Sequence, residues 1–178
     1  DYKAGSAKLD TCMELVHSAL DGGHRILLFS QFTGMLDIIG KRLAKEDIVF
    51  LKLTGASSKE SRAKMVAQFQ AGEVPVFLIS LKAGGVGLNL TAADVVIHYD
   101  PWWNVAAQDQ ATDRAHRIGQ QHTVTVYKLI AKDTIEERIM QMQESKRDLV
   151  NSVLGGDGIS SALFTREDVL ALLGGDGR

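Results

Sequence analysis

Residues 77–104, FLISLKAGGVGLNLTAADVVIHYDPWWN, hold two short apolar runs on either side of a glycine-rich stretch. The runs predict strands over residues 75–80 and 94–99, because each is only a few residues long and is rich in β-branched and aromatic side chains. Residues 25–30, RILLFS, form a similar continuous run, as in a strand that is covered on both faces. The decisive part of the sequence is therefore a set of buried strands.

The rest of the chain alternates between strand and helix patterns. Further strands are predicted at residues 48–53 and 124–130. Helices are predicted at residues 6–20, 33–45, 57–70 and 104–117. Such alternation implies βαβ units with right-handed crossovers, and so a mostly parallel sheet of the α/β class.

Two capping boxes predict where helices begin. Ser57-x-x-Glu60 opens the helix over residues 57–70, and Thr134-x-x-Glu137 opens a long helix near the end of the chain. A last short helix is predicted near residues 165–173. We expect residues 1–131 to form the α/β domain and residues 132–178 to form a helical appendage.

The bulk composition is that of an ordinary globular chain. The 178 residues are 45% hydrophobic and 24% charged, and no apolar run approaches the length of about 20 residues that spans a membrane. Cys12 is the only cysteine, which excludes an internal disulfide and a cysteine-based zinc site. No secretory signal is visible, so a reducing cytoplasm is the expected compartment. The net charge of −2 means that any nucleic-acid contact must come from a few placed groups.

Ligands of parallel α/β sheets gather at the carboxyl ends of the strands. That rule selects the loops after Ser30, Leu53, Ser80 and Tyr99. These four loops are the candidate binding region.

The loop after the third strand carries Gly84, Gly85 and Gly87. This spacing suits a phosphate cradle of backbone N–H groups, and it also suits a tight turn that needs glycines. Leu90 occupies the last position of the dinucleotide fingerprint G-x-G-x-x-G, and the P-loop pattern G-x-x-x-x-G-K-[ST] is absent. The loop alone is a weak signal.

Gln110, Arg114 and Arg117 lie at offsets of 0, 4 and 7, which places them on one stripe of a helix. They form either a solvated face paired with neighbouring aspartates or a clamp for a phosphoryl group. Arginine suits the clamp because its planar fork binds phosphate oxygens bidentately and keeps its charge.

Trp102 and Trp103 follow the fourth strand and Pro101. One interpretation is that one ring packs into the core while the other covers a loop. The alternative is an aromatic contact on a nucleic-acid strand.

Several segments together resemble one known family. HRILLFSQFTGMLDII (24–39), LKLTG (51–55), the stretch 77–104 and DQATDRAHRIGQ (109–120) occur in the family's order. They are similar to the second ATPase lobe of SWI/SNF-type chromatin-remodelling and DNA-translocating ATPases of helicase superfamily two. Residues 123–149 are similar to the segment that follows the last helicase motif there, and the compact form suggests a bacterial member.

The resemblance implies a RecA-like lobe that acts on ATP opposite a first, N-terminal RecA-like lobe. The first lobe of the family carries the Walker A lysine and the Asp-Glu box that holds Mg²⁺, and neither motif is in this sequence. By the same resemblance, Gln110, Arg114 and Arg117 act on the triphosphate, while Gly85, Gly87 and Asn89 line the nucleotide cleft. The fragment alone is then expected to be inactive.

The resemblance also implies a grip on the phosphates of double-stranded DNA. The residues that match are Ser30, Gln31, Phe32, Thr54, Gly55, Ser80, Lys82, Gly84 and one of Trp102 or Trp103. Residues 132–150 are expected to form a brace helix against the first lobe. A DNA-bound protein is a further expected partner, and no membrane contact is expected. The expected location is the nucleoid of a bacterium or the nucleus of a eukaryote.

Two rival hypotheses belong to other classes of protein. One is a separate nucleotide-binding module that uses the glycine loop without catalysis. The other is a protein-interaction domain that uses Trp102, Trp103 and the helix over residues 132–150.

Overall fold

The computed structural model describes residues 3–82, 88–101, 123–132 and 135–154. The elements in chain order are α1 (Lys3–Asp21), β1 (Ile26–Ser30), α2 (Thr33–Lys45), β2 (Phe50–Leu53), α3 (Lys59–Gln70), β3 (Val76–Ser80), β4 (Val95–His98), β5 (Thr125–Lys128) and α4 (Ile135–Leu154). The predicted helices at residues 104–117 and 165–173 lie outside the described residues.

The five strands form one parallel sheet in the order β2-β3-β1-β4-β5. β1 lies at the centre, and Ile26 pairs in register with Val76 on one side and Val95 on the other. All residues of β1, β3 and β4 are buried, as the continuous apolar runs predict. The predicted parallel α/β class is confirmed.

Alternate residues of the strands point to opposite faces of the sheet and form two separate hydrophobic cores. On one face, Ile26 and Leu28 of β1 pack with buried side chains of α1 and α2, such as Val16 and Leu36. On the other face, Leu27 and Phe29 pack with a second set that includes Phe69 of α3. The helices therefore cover both faces of the sheet, which is why its strands read as continuous apolar runs.

The helix predicted over residues 33–45 begins and ends where expected, but one member of its apolar stripe differs. Ala44 is exposed, and Gly40 is buried instead. A Cβ atom at Gly40 would lie 3.0 Å from Cζ of Phe50 in β2. The absence of a side chain at Gly40 therefore lets α2 and β2 pack closely.

The predicted capping box at Ser57 is wrong by one residue. The N-cap of α3 is Ser58, whose Oγ accepts a hydrogen bond of 3.1 Å from the backbone N of Ser61. Ser57 belongs to the preceding turn, where its Oγ accepts from the backbone N of Thr54 at 3.1 Å. Thr134, of the second predicted box, lies outside the described residues.

β5 is shorter than predicted and lies at one edge of the sheet. All four of its residues are exposed, whereas all residues of β1, β3 and β4 are buried. Among the helices that the structure describes, none combines the length and the hydropathy of a membrane span.

We expect Ser58→Ala to lower the free energy of unfolding by about 1 kcal/mol, because the first turn of α3 loses its side-chain acceptor. Urea denaturation followed by circular dichroism measures this loss. Ser61→Ala is the matched control, since Ser61 is exposed and contributes only its backbone N–H to the cap. Equal losses in the two variants would show that the cap does not stabilise α3.

Candidate functional site

The carboxyl ends of the strands bring several predicted site residues to one edge of the sheet. Ser30 and Ser80 end β1 and β3 and lie in register with each other. Thr54 follows β2 directly, and Asp100 comes two residues after β4. The loops that the sequence singles out at these four strands therefore meet at a common edge, as the topology of a parallel sheet requires.

Asp100 holds the loop that follows β1. The hydroxyl of Ser30 donates to Oδ2 of Asp100, and the backbone N of Gln31 donates to Oδ1 at 2.9 Å. Oγ of Ser30 in turn accepts from the backbone N of Phe32 at 3.1 Å, and the side-chain amide of Gln31 donates to the carbonyl of Pro101 at 3.2 Å. We call Ser30, Gln31, Phe32, Asp100 and Pro101 the Asp100 cluster.

The Asp100 carboxyl sits in an environment that disfavours its charge. The residue is 4% exposed, and burial raises the pKa of Asp100, whereas the Gln31 amide, the Ser30 hydroxyl and the nearby charge of Lys8 lower it. A buried carboxylate without such donors would be costly. The same bonds that stabilise the charge therefore fix the path of the backbone from Ser30 to Phe32.

The cluster changes how the predicted DNA-contact residues are interpreted. Ser30 is 0% exposed and its hydroxyl is engaged by Asp100, and Ser80 is also buried. Phe32, in contrast, is 58% exposed at the tip of the loop. The DNA contacts of Ser30 and Ser80 stay predictions, and the geometry gives the Ser30 side chain a role in shaping the loop.

The loop after β2 is a turn held by α3. The backbone N of Ser57 donates to the carbonyl of Thr54 at 3.0 Å, and Nε of Arg62 donates to the carbonyl of Ser57 at 3.1 Å. Gly55, within this turn, is exposed and has open space around it. The backbone at Gly55 is accordingly presented to solvent by a turn with a fixed shape.

Gln70, the last residue of α3, anchors the segment that follows the glycine loop. Its Oε1 accepts from the backbone N of Ala92 at 2.8 Å, and its Nε2 donates to the hydroxyl of Thr91 at 3.1 Å. Asn89, predicted to line the nucleotide cleft, is exposed just before this anchor. Lys82, predicted to contact DNA, is exposed just after β3.

The remaining predicted site residues lie outside the described residues. They are Gly84, Gly85, Gly87, Trp102, Trp103, Gln110, Arg114 and Arg117.

His98 is a buried neighbour of the site with a structural role. Its ring stacks on Phe29 with the centroids 5.5 Å apart, and burial lowers the pKa of His98 to about 4. The imidazole is therefore neutral at neutral pH. Within the described ranges, no group of three or more His, Cys, Asp or Glu side chains is placed to hold a metal ion.

Sequence reasoning missed Asp100, Arg62 and Gln70 as residues that position the loops. Asp100 carried a partial signal, because an acid directly after an apolar strand and before a proline is placed at the ligand-binding edge. Arg62 carried none, because its contact with the Ser57 carbonyl depends on the shape of the turn before α3. Gln70 carried none, because Thr91 and Ala92 are 21 and 22 residues away in sequence.

We expect Ser30→Ala to lower the free energy of unfolding by about 1–3 kcal/mol at pH 7, because it removes a donor from a buried carboxylate and an acceptor from the Phe32 amide. The Ser30 hydroxyl lowers the pKa of Asp100, so its contribution is present while Asp100 is ionised and is lost as the pH falls and the carboxyl is protonated. The deficit should therefore shrink at pH 4.

Urea denaturation at both pH values checks this expectation. Ser80→Ala is the control, since it removes a hydroxyl that is similarly buried at the same level of the sheet. A deficit of Ser30→Ala that is the same at pH 7 and pH 4 would contradict the role assigned to the hydroxyl.

Comparison with known proteins places this geometry in a family. The helicase conserved C-terminal domain family matches residues 7–119. A protein of Mycoplasma pneumoniae described as an uncharacterized ATP-dependent helicase is 46% identical over 168 residues, which is 94% of this chain and 16% of that protein. The chromatin-remodelling ATPase INO80 of Cryptococcus neoformans is 46% identical over 165 residues, which is 92% of this chain and 9% of INO80.

A solved structure agrees with the sequence relatives. The SWI2/SNF2 ATPase core of Sulfolobus solfataricus, in complex with double-stranded DNA, is similar with a TM-score of 0.69 and 40% identity, over 83% of this chain and 31% of that chain. The chain thus spans only a small part of each of these proteins. Because the family match covers well over half of the chain, and the relatives and the fold agree with it, the chain belongs to the helicase conserved C-terminal domain family, as that domain occurs in SWI2/SNF2-type ATPases.

Proposed function

We propose that this chain is the second motor lobe of an ATP-dependent translocase on double-stranded DNA, of the chromatin-remodelling type. The observation that carries the proposal is the meeting of three of the family's segments, residues 24–39, 51–55 and the described part of 77–104, at the carboxyl edge of one parallel sheet. There the loops after β1 and β2 are held in fixed shapes by Asp100 and Arg62. The Sulfolobus core, which was solved on double-stranded DNA, supports DNA as the ligand.

On the nucleotide side, Gln110, Arg114 and Arg117 act on ATP that is bound mainly by a first RecA-like lobe. That lobe supplies the Walker A lysine and holds Mg²⁺ with its Asp-Glu box. The arginines stabilise the charge that develops on the transferred phosphoryl group. Arginine fingers of this kind raise kcat by about 10³–10⁵-fold. Gly85, Gly87 and Asn89 line the same cleft, and the isolated chain hydrolyses no ATP.

On the DNA side, the lobe grips phosphates without reading the sequence of bases. Backbone N–H groups and small side chains do this without a large basic surface, which fits the net charge of −2. At the edge, Gly55 presents its backbone, Thr54 its hydroxyl and Lys82 its ammonium group. The Asp100 cluster takes the backbone N–H of Gln31 and so orients the Gln31 side chain. Gly84 and one of Trp102 or Trp103 complete the contact.

The motor cycle follows from the position of the lobe between two ligands. ATP favours the closed arrangement of the two lobes because it binds that state more tightly, and hydrolysis removes the preference. Each cycle then shifts the phosphate grip of this lobe relative to that of the first lobe. A DNA-bound protein is the load, and the site of action is the nucleoid of a bacterium or the nucleus of a eukaryote.

In the full-length protein, we expect Arg117→Ala to lower DNA-stimulated ATP turnover by about 10³-fold or more, because the phosphoryl group loses its clamp. Duplex affinity should stay nearly unchanged, since Arg117 faces the nucleotide in the proposed arrangement. Phosphate release and fluorescence anisotropy with a labelled duplex measure the two properties. Arg42→Ala, in the last turn of α2 and outside the proposed nucleotide and DNA contacts, is the control. A parallel loss of turnover and DNA binding would mean that Arg117 supports the fold and is not a finger.

Phe32→Ala should weaken duplex binding by about 1 kcal/mol, roughly fivefold in Kd, because the exposed ring excludes water at the proposed contact. The free energy of unfolding should change little, since the ring is mostly in solvent. Ile38→Ala, at a position of α2 that is 48% exposed, tests whether any exposed apolar side chain has this effect. Duplex titrations at one fixed salt concentration decide, and equal affinities of the two variants would remove Phe32 from the interface.

A further inference from the structure

A mostly buried ion pair joins the two ends of the described chain. Nζ of Lys8, on α1, lies 2.9 Å from Oε1 and 2.7 Å from Oε2 of Glu136, on α4. The Lys8 side chain is 12% exposed and the Glu136 side chain is 25% exposed. The pair spans 128 residues of sequence, so it fixes the first turn of α4 against α1.

Glu136 also holds the segment that leads into α4. Its Oε2 accepts from the backbone N of Ala131 at 2.9 Å, and Leu129 donates to the carbonyl of His98 at 2.9 Å. The end of β5, the start of α4 and the end of β4 are therefore connected through short polar contacts. A displacement of the first turn of α4 must disturb these contacts together.

The pair lies beside the Asp100 cluster. Nζ of Lys8 sits 5.0 Å from the ring centroid of Tyr99, the residue before Asp100. The backbone N of Tyr99 donates to the carbonyl of Phe29, the residue before Ser30, at 2.9 Å. The charges of Lys8 and Glu136 both reach Asp100 and act on it with opposite sign. Through Tyr99, the ion pair and the loop from Ser30 to Phe32 thus share one packed set of contacts.

This arrangement differs from an ordinary surface ion pair. Exposed pairs contribute little, because water and salt screen them. A shielded pair that loses one partner leaves a charge without compensation, and neighbouring groups must then rearrange. The neighbours of Lys8 here include the Tyr99 ring, and its charge reaches Asp100.

We propose that Lys8 and Glu136 are positioning residues, which couple the first turn of α4 to the loop from Ser30 to Phe32. A shift of α4 moves Lys8 away from the Tyr99 ring, and the loosened Tyr99 weakens the hold of Asp100 on the backbone of Gln31 and, through Ser30, on that of Phe32. The coupling itself needs no ligand. Its functional role rests on the proposed function: a movement of the predicted brace helix would change the shape of the loop that is proposed to contact DNA.

Amide hydrogen exchange of this chain, followed residue by residue by NMR, tests the coupling. We expect Glu136→Gln and Lys8→Met each to speed exchange of the Gln31 and Phe32 amides by about tenfold, within the range of coupling through packed contacts. The double variant should be no faster than either single variant, because both remove the same interaction. Lys8→Arg, which keeps the charge, should retain most of the protection.

Two references separate this local effect from a general loss of stability. The Leu78 amide, in the buried strand β3, should change much less than the loop amides. Glu144→Gln removes an exposed carboxylate from the same helix and should leave the loop unchanged.

The coupling is wrong if the Gln31 and Phe32 amides keep their exchange rates, or if they change only in step with Leu78. Additive effects in the double variant would equally contradict it. Should Glu136→Gln not fold, Glu136→Asp keeps the charge, shortens its reach and must speed the same two amides. Neither ATP nor DNA enters the measurement, so its failure leaves the proposed function standing, and an inactive motor leaves the coupling standing.

Discussion

The buried carboxyl of Asp100 is the constraint on which the loops at the carboxyl edge of the sheet depend. A carboxylate that is almost out of contact with water must keep its hydrogen-bond donors. Here two of them come from the last residue of the central strand and the residue after it, 70 and 69 residues earlier in sequence. The path of the backbone after β1 is thus set by a residue after β4. Because β1 and β4 are parallel neighbours, the hydrogen bonds between Asp100 and the end of β1 form without disturbing the sheet.

The other loops at this edge are fixed in the same manner, by polar side chains from a neighbouring helix. Arg62, in the second turn of α3, holds the carbonyls after β2, and Gln70, at the end of that helix, holds Thr91 and Ala92. One helix therefore shapes two loops that come from different strands. Loops of fixed shape on a rigid scaffold are what the proposed phosphate grip requires, because the groups that contact phosphate must be held in position.

Much of the fold could be predicted from the sequence, because β1, β3 and β4 are buried on both faces and α1 and α2 have regular apolar stripes. The helix over residues 33–45 was predicted to the residue, and the parallel α/β sheet followed from the alternation of strands and helices. The cap of α3 was misplaced because Ser57 and Ser58 have the same chemistry, and only the turn decides which of them faces the helix. Asp100 and Gln70 were missed because their partners are distant in sequence. The roles of Arg114 and Arg117 stay predictions, since both residues lie outside the described ranges.

The close packing of α2 on β2 has an evolutionary consequence. Gly40 and the ring of Phe50 fill one shared volume, with no room for an added methyl group unless the ring shifts. A lineage that acquires a side chain at 40 must therefore shift the ring of Phe50 or replace it with a smaller side chain. Larger side chains at position 40 should therefore appear together with smaller ones at position 50 among descendants of a common ancestor.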